Sequence, residues 1–210
     1  MQSSSSKSRA VSAIVLAGGK SSRMETDKAL LQIEGEYLIQ RIVRQLKAHF
    51  SEIIVTTGET RRYTDLLDVP VLEDKIKNCG PMGGLYTGLQ AATNEYSFVT
   101  ACDMPFLNPA LVEFLIAQID GTADVIVPEV GGVRCVTRAI YGKRCLSTIE
   151  KLVGQRRLSL QALVDTAPAW VISESELHKI DPNSSSFMGF NIIEEWKEVR
   201  RRIERYSNRE

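Results

Sequence analysis

The feature that most constrains the fold of this chain is an alternation of short β-rich runs with helical patterns through its first half. The run SAIVLA (12–17) is typical of a buried strand, and YLIQRIVRQLKAHF (37–50) repeats apolar residues at helical spacing. Further strand-like runs are EIIVTT, VPVLED, YSFVTACD and ADVIVPEV, and further helical ones are GGLYTGLQAATN and NPALVEFLIAQI. Such alternation predicts an α/β fold, a three-layer sandwich whose mostly parallel, Rossmann-like central sheet carries helices on both faces.

The second half of the chain is less regular. RCVTRAIYG and AWVIS are typical of strands, whereas CLSTIEKLVGQ, RRLSLQALV and IEEWKEVRRRIERY are typical of helices. No internal repeat and no linker rich in Gly, Pro or Ser divides the sequence. We therefore predict a disordered lead over residues 1–10 and a single domain over 11–210 with two functional halves.

Composition and charge disfavour several classes of partner. Lysine and arginine number 26 and aspartate and glutamate number 26, so no global field draws the chain to nucleic acid or to an anionic membrane. No apolar run is long enough to cross a bilayer, and the N-terminus lacks the apolar core of a signal peptide. Cys79, Cys102, Cys135 and Cys145 form no CxxC pair, which favours reduced thiols over a zinc site. These features predict a cytoplasmic protein.

A glycine turn with basic residues follows the first predicted strand, in LAGGKSSRMETDKALL (16–31). The residues that end the strand and enter the turn are Leu16, Ala17, Gly18 and Gly19. Ligands bind beyond the carboxyl ends of parallel strands, and glycine lets backbone amides approach an anion closely. Lys20, Arg23 and Lys28 can neutralise a triphosphate. We predict phosphate binding here; the alternative is a glycine turn with solvated lysines.

Two carboxylates stand at the ends of other predicted strands. Asp103 follows YSFVTAC and should lie beside the glycine turn. A carboxylate close to phosphates requires a cation between them, and Mg²⁺ is the natural one because it is often shared by a carboxylate and substrate phosphates. The alternative for Asp103 is a cap of the MPF turn. Asp74 ends VPVLED one strand away, where it contacts the ligand or caps the strand.

The opening stretch closely resembles the signature LAGGxSxRMGxDKxLL of the molybdenum cofactor guanylyltransferases and their nucleotidyltransferase relatives. VLED, GPMGGLYTGL, CDMPFL and GQRRLSLQALV extend the resemblance over nearly the whole chain after its first ten residues. The resemblance implies the nucleotide-diphospho-sugar transferase type of fold. It also implies transfer of GMP from GTP to the terminal phosphate of the molybdenum–molybdopterin cofactor, with release of pyrophosphate.

The resemblance also implies roles for the candidate residues. Arg23 and Lys28 would stabilise phosphate and transition-state charge, Asp103 would hold Mg²⁺, and residues 16–19 would bind the nucleotide together with Thr56 and Asp74. About 11–105 would form the nucleotide-binding half and 106–210 the acceptor-binding half. Candidates for gripping the anionic acceptor, or else solvated surface residues, are Arg134, Arg138, Arg156 and Arg157.

Four departures from the family pattern leave alternatives open. Glu25 replaces the glycine after RM, Thr56 aligns with the asparagine that contacts the base, and GFNIIE matches NxNTPE with Asn191 retained but Gly189, Ile192 and Ile193 in place of other residues. The fourth is VRCVTRAIY, which lacks the His or Glu and the Pro commonly seen before the ALY-like stretch. The alternatives are cytidylyl transfer to molybdopterin, guanylyl transfer to a cobinamide or sugar phosphate, and a catalytically silent nucleotide-binding protein.

Overall fold

The computed structural model describes residues 11–18, 27–190 and 192–207. The lead predicted over residues 1–10 lies outside this range. In chain order the strands are β1 (Val11–Leu16), β2 (Gln32–Ile33), β3 (Glu36–Tyr37), β4 (Ile53–Thr57), β5 (Val71–Glu73), β6 (Tyr96–Ala101), β7 (Val125–Val130), β8 (Val133–Arg134), β9 (Arg138–Gly142) and β10 (Ala169–Ile172). The α-helices are α1 (Leu38–Lys47), α2 (Pro81–Ala91), α3 (Pro109–Ala117), α4 (Cys145–Gly154), α5 (Leu160–Val164), α6 (Glu174–Leu177) and α7 (Ile193–Ser207).

One eight-stranded sheet forms the centre of the fold, with the order β10-β7-β9-β6-β1-β4-β5 and β8 paired to β7. The pairs β6–β1, β1–β4, β4–β5 and β10–β7 are parallel, while β9 runs antiparallel to both β6 and β7. The predicted mostly parallel sheet is therefore confirmed. β9 joins the two runs of parallel strands, so segments from both halves of the chain share the same sheet.

The side chains of β1 alternate between two apolar clusters, one on each face of the sheet. Ala13 and Val15 pack with residues of α1, α3 and α7, whereas Ile14 and Leu16 pack with residues of α2, α4 and α5. Helices therefore cover both faces, and the predicted three layers are confirmed. Among the described helices, none has the length and apolar character that a membrane span requires.

A short hairpin, β2–β3, lies outside the main sheet. Glu34 and Gly35 connect its strands, and both have a positive φ, of 53° and 83°. Two consecutive left-handed residues are typical of the tight turns that join antiparallel strands. The sequence analysis did not predict this hairpin, since each strand has only two residues and offers no alternation to detect.

Candidate active site

The ends of three adjacent strands lie at the same level on one edge of the sheet. Leu16 is in register with Thr56 of β4 on one side and with Ala101 of β6 on the other. Beyond the strands, the Ala17 amide donates to the Thr56 carbonyl at 2.8 Å, and the Cys102 amide donates to the Leu16 carbonyl at 3.3 Å. The turn that follows β1 therefore begins between the turns that follow β4 and β6.

Gly18 brings the first of these turns close to its neighbour. A Cβ at Gly18 would stand 3.4 Å from the Gly58 amide nitrogen and 3.5 Å from the Thr57 Cα, so the two backbones pass in near contact. Leu16 and Ala17 are buried, and Gly18 is exposed at the edge. The predicted nucleotide-binding residue Gly19 and the predicted catalytic Arg23 lie outside the described residues, so their placement stays a prediction.

Asp103 stands on a tight turn at the end of β6. The Met104 amide donates to the Ala101 carbonyl at 3.3 Å, which closes the turn around Cys102 and Asp103. The Asp103 side chain is 28% exposed, and its Oδ2 lies 3.0 Å from the Lys28 Nζ. The structure thus brings together two predicted catalytic residues that are 75 positions apart in the sequence.

Lys28 is also held by Phe190, a residue that the sequence analysis missed. The Lys28 Nζ donates to the Phe190 carbonyl at 2.5 Å and lies 5.3 Å from the centroid of the Phe190 ring. An ammonium at this distance from an aromatic face is attracted by the ring. Phe190 precedes Asn191 of the GFNIIE stretch, which was the available signal, although Asn191 itself lies outside the described residues.

Asp27 fixes the short 3₁₀ turn on which Lys28 lies. Its Oδ1 accepts from the Ala29 amide at 3.1 Å, and its Oδ2 accepts from the Tyr63 hydroxyl at 2.6 Å and from Arg62 Nη1 at 3.4 Å. Burial and the bond to Asp27 raise the pKa of Tyr63 far above its usual value, so its hydroxyl remains a donor. Asp27 therefore ties the lysine segment to the region that follows β4.

Thr56 and Asp74 form a second polar cluster beneath α2. The buried Thr56 Oγ1 and Asp74 Oδ1 have no hydrogen-bond partner within the described part of the chain. A Cβ at Gly84 would stand 2.8 Å from that Oγ1 and 3.5 Å from that Oδ1, so both atoms converge on the first turns of the helix. Burial raises the pKa of Asp74, because it penalises the charged carboxylate. Two such unpaired atoms side by side are suited to a polar ligand.

Glycines at the start of α2 allow the preceding loop to pack tightly. The helix begins at Pro81 after Gly80, whose φ is 54°, and no side chain caps it. A Cβ at Gly83 would approach the Ile76 carbonyl oxygen closer than 3.0 Å, so only glycine fits there. The uncapped first turn leaves backbone amides available near Asp74.

The four arginines proposed to grip an acceptor occupy different environments. Arg134 pairs with Asp165 at 2.6 Å and with Glu129 at 3.8 Å, while Arg156 and Arg157 are exposed. Arg138 is only 1% exposed. The prediction that it grips the acceptor or is a solvated surface residue is therefore wrong, because its side chain lies in the core, where its Nη2 donates to the Met104 carbonyl.

Asp103 offers a suitable ligand for a divalent cation. Its Oδ2 is the oxygen that contacts Lys28, and no other hydrogen bond or ion pair to its carboxylate is found within the described residues. Those residues contain no group of three His, Cys, Asp or Glu side chains that could enclose a metal. A cation at this place would take one carboxylate from the protein and further oxygens from substrate phosphates and water, which is the usual arrangement for Mg²⁺.

All four cysteines are free thiols, as predicted. Cys102 is next to Asp103, but burial raises the pKa of its thiol far above the usual range, and the Asp103 charge adds to this effect. A thiol that stays protonated is a poor nucleophile. The chemistry of the site therefore depends on the lysine and the carboxylates.

Comparisons with known proteins agree with this geometry. The MobA-like NTP transferase domain family matches residues 13–169. The chain is 32% identical over 195 residues to the molybdenum cofactor guanylyltransferase of Desulfosudis oleivorans, with 89% of this chain and 92% of that protein covered. It is 31% identical over 191 residues to the enzyme of the same name from Syntrophotalea carbinolica, with 90% of each chain covered. The resemblance found in the sequence motifs is confirmed.

A solved structure shows the same fold. The crystal structure of molybdopterin-guanine dinucleotide biosynthesis protein A from Archaeoglobus fulgidus aligns with a TM-score of 0.82, covering 93% of this chain and 100% of that one. Its sequence is 19% identical, so the likeness concerns the fold. The predicted fold type is confirmed.

Proposed function

This chain belongs to the MobA-like NTP transferase family, and from that premise we propose that it transfers GMP from GTP to the terminal phosphate of the molybdenum–molybdopterin cofactor. The products are the guanine dinucleotide form of the cofactor and pyrophosphate. Relatives at about one-third identity that carry the guanylyltransferase name over nine-tenths of the chain support this reaction.

The single observation that carries the proposal is the contact between Lys28 and Asp103. A cation and a metal-binding type of carboxylate meet 3.0 Å apart at the end of β6, beside the turn that follows β1. Such a pair lies where parallel sheets bind nucleotides. It can bind phosphate oxygens and a divalent cation at the same time.

The reaction is a displacement at the α-phosphorus of GTP. An oxygen of the acceptor phosphate forms a bond to that phosphorus, and the bond from the phosphorus to the bridging oxygen of pyrophosphate breaks, with its electron pair leaving on that oxygen. The acceptor phosphate is ionised at neutral pH, so no strong general base is needed. Catalysis then consists of alignment and charge stabilisation. In this scheme Lys28 and Arg23 bind phosphate oxygens.

We propose Mg²⁺ as the divalent cation, held by the Asp103 carboxylate. When bound, it stabilises the negative charge that gathers on the α-phosphate and pyrophosphate oxygens. Lys28 keeps the carboxylate oriented by its bond to Oδ2 and is itself oriented by the Phe190 carbonyl. The protein thus supplies an aligned oxygen ligand and a cation in one place.

The remaining binding roles follow the two polar clusters. Residues 16–19 bind the triphosphate through backbone amides, and Thr56 with Asp74 bind the nucleoside through the oxygen atoms that have no hydrogen-bond partner among the described residues. The acceptor binds to the half of the chain over 106–210, where Arg156 and Arg157 are exposed. Arg134 is a weaker candidate, because Asp165 and Glu129 already neutralise it.

The proposed place of action is the cytoplasm. The free thiols include the buried Cys79 and Cys145 and the half-buried Cys102 and Cys135. Free thiols are typical of proteins that work in a reducing compartment. The two substrates, a nucleoside triphosphate and a phosphorylated cofactor, are consistent with that place.

The test offers each nucleoside triphosphate singly with molybdenum–molybdopterin cofactor and Mg²⁺, and measures pyrophosphate. We expect pyrophosphate release with GTP. We expect the rate of release to fall by at least about 100-fold in Asp103→Ala, since metal and charge stabilisation lower the barrier by several kcal/mol. The variant should unfold at nearly the wild-type temperature, because the carboxylate is at the surface edge of the core. GTP binding without release for any acceptor would instead support the silent nucleotide-binding alternative.

Thr56 motivates one second candidate, cytidylyl transfer to the same cofactor, because it does not supply the amide of the family's asparagine. Its hydroxyl offers one donor together with acceptor lone pairs, whereas that asparagine offers two donors and an acceptor. The Thr56 Oγ1 is buried without a partner in the described part of the chain, so it is available to a base. Release of pyrophosphate from CTP but not from GTP would select this candidate.

A further inference from the structure

Arg138 is the most deeply buried charged side chain near the candidate site. It lies at the start of β9, in register with Thr100 of β6, one residue before Ala101, at which the turn that carries Asp103 begins. Its side chain is 1% exposed, and burial lowers its pKa to about 10, so it is still a cation at neutral pH. A positive charge is therefore held in the core, directly beneath the end of β6.

The guanidinium is tied to the Asp103 turn by one hydrogen bond. Its Nη2 donates to the Met104 carbonyl at 2.6 Å, and its buried Nε has no partner among the described residues. Thr137, the preceding residue, contacts the Met104 Sδ at 3.3 Å through its hydroxyl. The start of β9 thus holds Met104 both by its main chain and by its side chain.

The backbone of Asp103 is held from the other side as well. A Cβ at Gly189 would stand 3.3 Å from the Asp103 carbonyl oxygen, so the segment leading to Phe190 lies against it. The amide of Met104 is bound to Ala101 and its carbonyl is bound to Arg138. The main chain next to the Asp103 carboxylate is consequently fixed at both polar groups of Met104.

Stability alone does not account for this arginine. A buried cation costs free energy unless it is well paired, and an apolar side chain of similar volume is often neutral or stabilising in its place. The carboxylates that face Arg138 are Asp103 and Asp181, and neither lies within ion-pair distance of it in the described residues. Asp181 accepts instead from the amides of Ser185 and Ser186.

We propose that Arg138 is a positioning residue for the transfer reaction: by holding the Met104 carbonyl from within the core, it fixes the direction in which the Asp103 carboxylate meets the nucleotide-bound divalent cation. This inference rests on the proposed function, in which Asp103 is the metal ligand. Groups that orient a metal ligand from behind commonly change metal affinity by about 10- to 100-fold when they are removed.

The experiment measures GTP affinity by calorimetry with Mn²⁺ and again with EDTA, and takes the ratio as the metal-dependent gain. Arg138→Met keeps the volume and removes the donor, and Arg138→Lys keeps a charge and one donor. The matched control is Tyr141→Phe, which removes another 2.6 Å bond from a buried β9 side chain to a carbonyl, that of Val136. Asp103→Asn tests the metal ligand itself.

We expect Arg138→Met to lose about tenfold of the metal-dependent gain while its GTP affinity in EDTA stays at the wild-type value. Arg138→Lys should lose less, and Tyr141→Phe should lose nothing. Should Arg138→Met fail to fold, the lysine variant decides in the same way, by a reduced gain at unchanged metal-free affinity. The expected result requires that turnover with Mg²⁺ falls in parallel with the gain.

Three results would overturn the inference. The first is a gain within twofold of wild type in both arginine variants when Asp103→Asn loses it; the metal role of Asp103 then stands and Arg138 has no part in it. The second is an equal loss in Tyr141→Phe, which would mean that any disturbance of β9 acts alike. The third is an unchanged gain in Asp103→Asn, which removes the metal ligand from the proposed function. Pyrophosphate release by the wild type tests the reaction separately.

Discussion

Replacing Arg138 with methionine should leave the protein as stable as the wild type or more stable, although it removes a hydrogen bond from the core. Burial lowers the pKa of Arg138 from its ordinary value to about 10, because it penalises the charged form. Because a change of one unit in pKa corresponds to about 1.36 kcal/mol, burying the charged form in the folded protein costs about 3 kcal/mol. Leaving the Met104 carbonyl without its donor costs about 1–3 kcal/mol. The expected net change in unfolding free energy is therefore a gain of about 0–2 kcal/mol.

The assay is urea unfolding of both proteins at neutral pH and again at about pH 10.5. A cation with a lowered folded pKa destabilises the native state in full below that pKa, and the penalty shrinks as the pH rises above about 10 towards the ordinary pKa of arginine. On going from neutral pH to the higher pH, the unfolding free energy of the wild type should therefore rise by about 1 kcal/mol relative to that of Arg138→Met. Other groups titrate in the same range, but they are common to both proteins and cancel in the difference.

The reasoning is refuted if Arg138→Met is less stable than wild type by more than about 1 kcal/mol, the size of a typical net hydrogen bond. That outcome would mean that the contact to Met104 outweighs the burial of the charge. A stability difference that does not change between the two pH values would equally refute it, because the charge would then carry none of the cost.

Three further outcomes are expected. Lys28→Ala should weaken GTP binding by about 10- to 100-fold, since a charged contact to phosphate is worth about 1.5–3 kcal/mol; calorimetry measures the affinity, and unchanged affinity would count against the assignment. Gly83→Ala should lower the unfolding free energy by about 1–3 kcal/mol through overpacking, whereas Gly154→Ala, where a Cβ meets nothing, should not lower it. Acidification should weaken GTP binding more in the wild type than in Asp74→Asn, because burial raises the pKa of Asp74 and the ionised carboxylate is lost at a higher pH than in an exposed aspartate.

The sequence predicted the strands that appear as short apolar runs between helical patterns. The runs SAIVLA, EIIVTT and YSFVTACD identified β1, β4 and β6, and the carboxyl-end rule then placed Asp103 beside the turn after β1. The register of Leu16 with Thr56 and Ala101 bears out this part of the prediction. Nothing in the periodicity showed that β9 would run antiparallel, because strand direction depends on its partners and on the connections.

The interior of the site could not be predicted, because it depends on contacts between distant segments. Phe190 reaches Lys28 only through the path of the chain between α6 and α7, and no pattern around it indicates an aromatic contact with a lysine. The burial of Arg138 could not be predicted for the same reason, because in RCVTRAIYG an arginine at this position is compatible with an outward or an inward side chain. Only the structure shows that the side chain points inward, where it contacts the Met104 carbonyl.

The two measurements on Arg138 together separate a structural role from a positioning one. If Arg138 serves stability, its removal lowers the unfolding free energy. Any loss of the metal-dependent gain in GTP affinity is then a consequence of a less well-packed core. Arg138→Met is expected to do the opposite, raising or preserving stability while the metal-dependent gain in GTP affinity falls about tenfold. Arg138 would then destabilise the folded state and yet hold the turn next to Asp103 through the Met104 carbonyl. That combination is expected of a residue whose role is in function and not in packing. If stability and the metal-dependent gain fall together in Arg138→Met, Arg138 has only a structural role in the core.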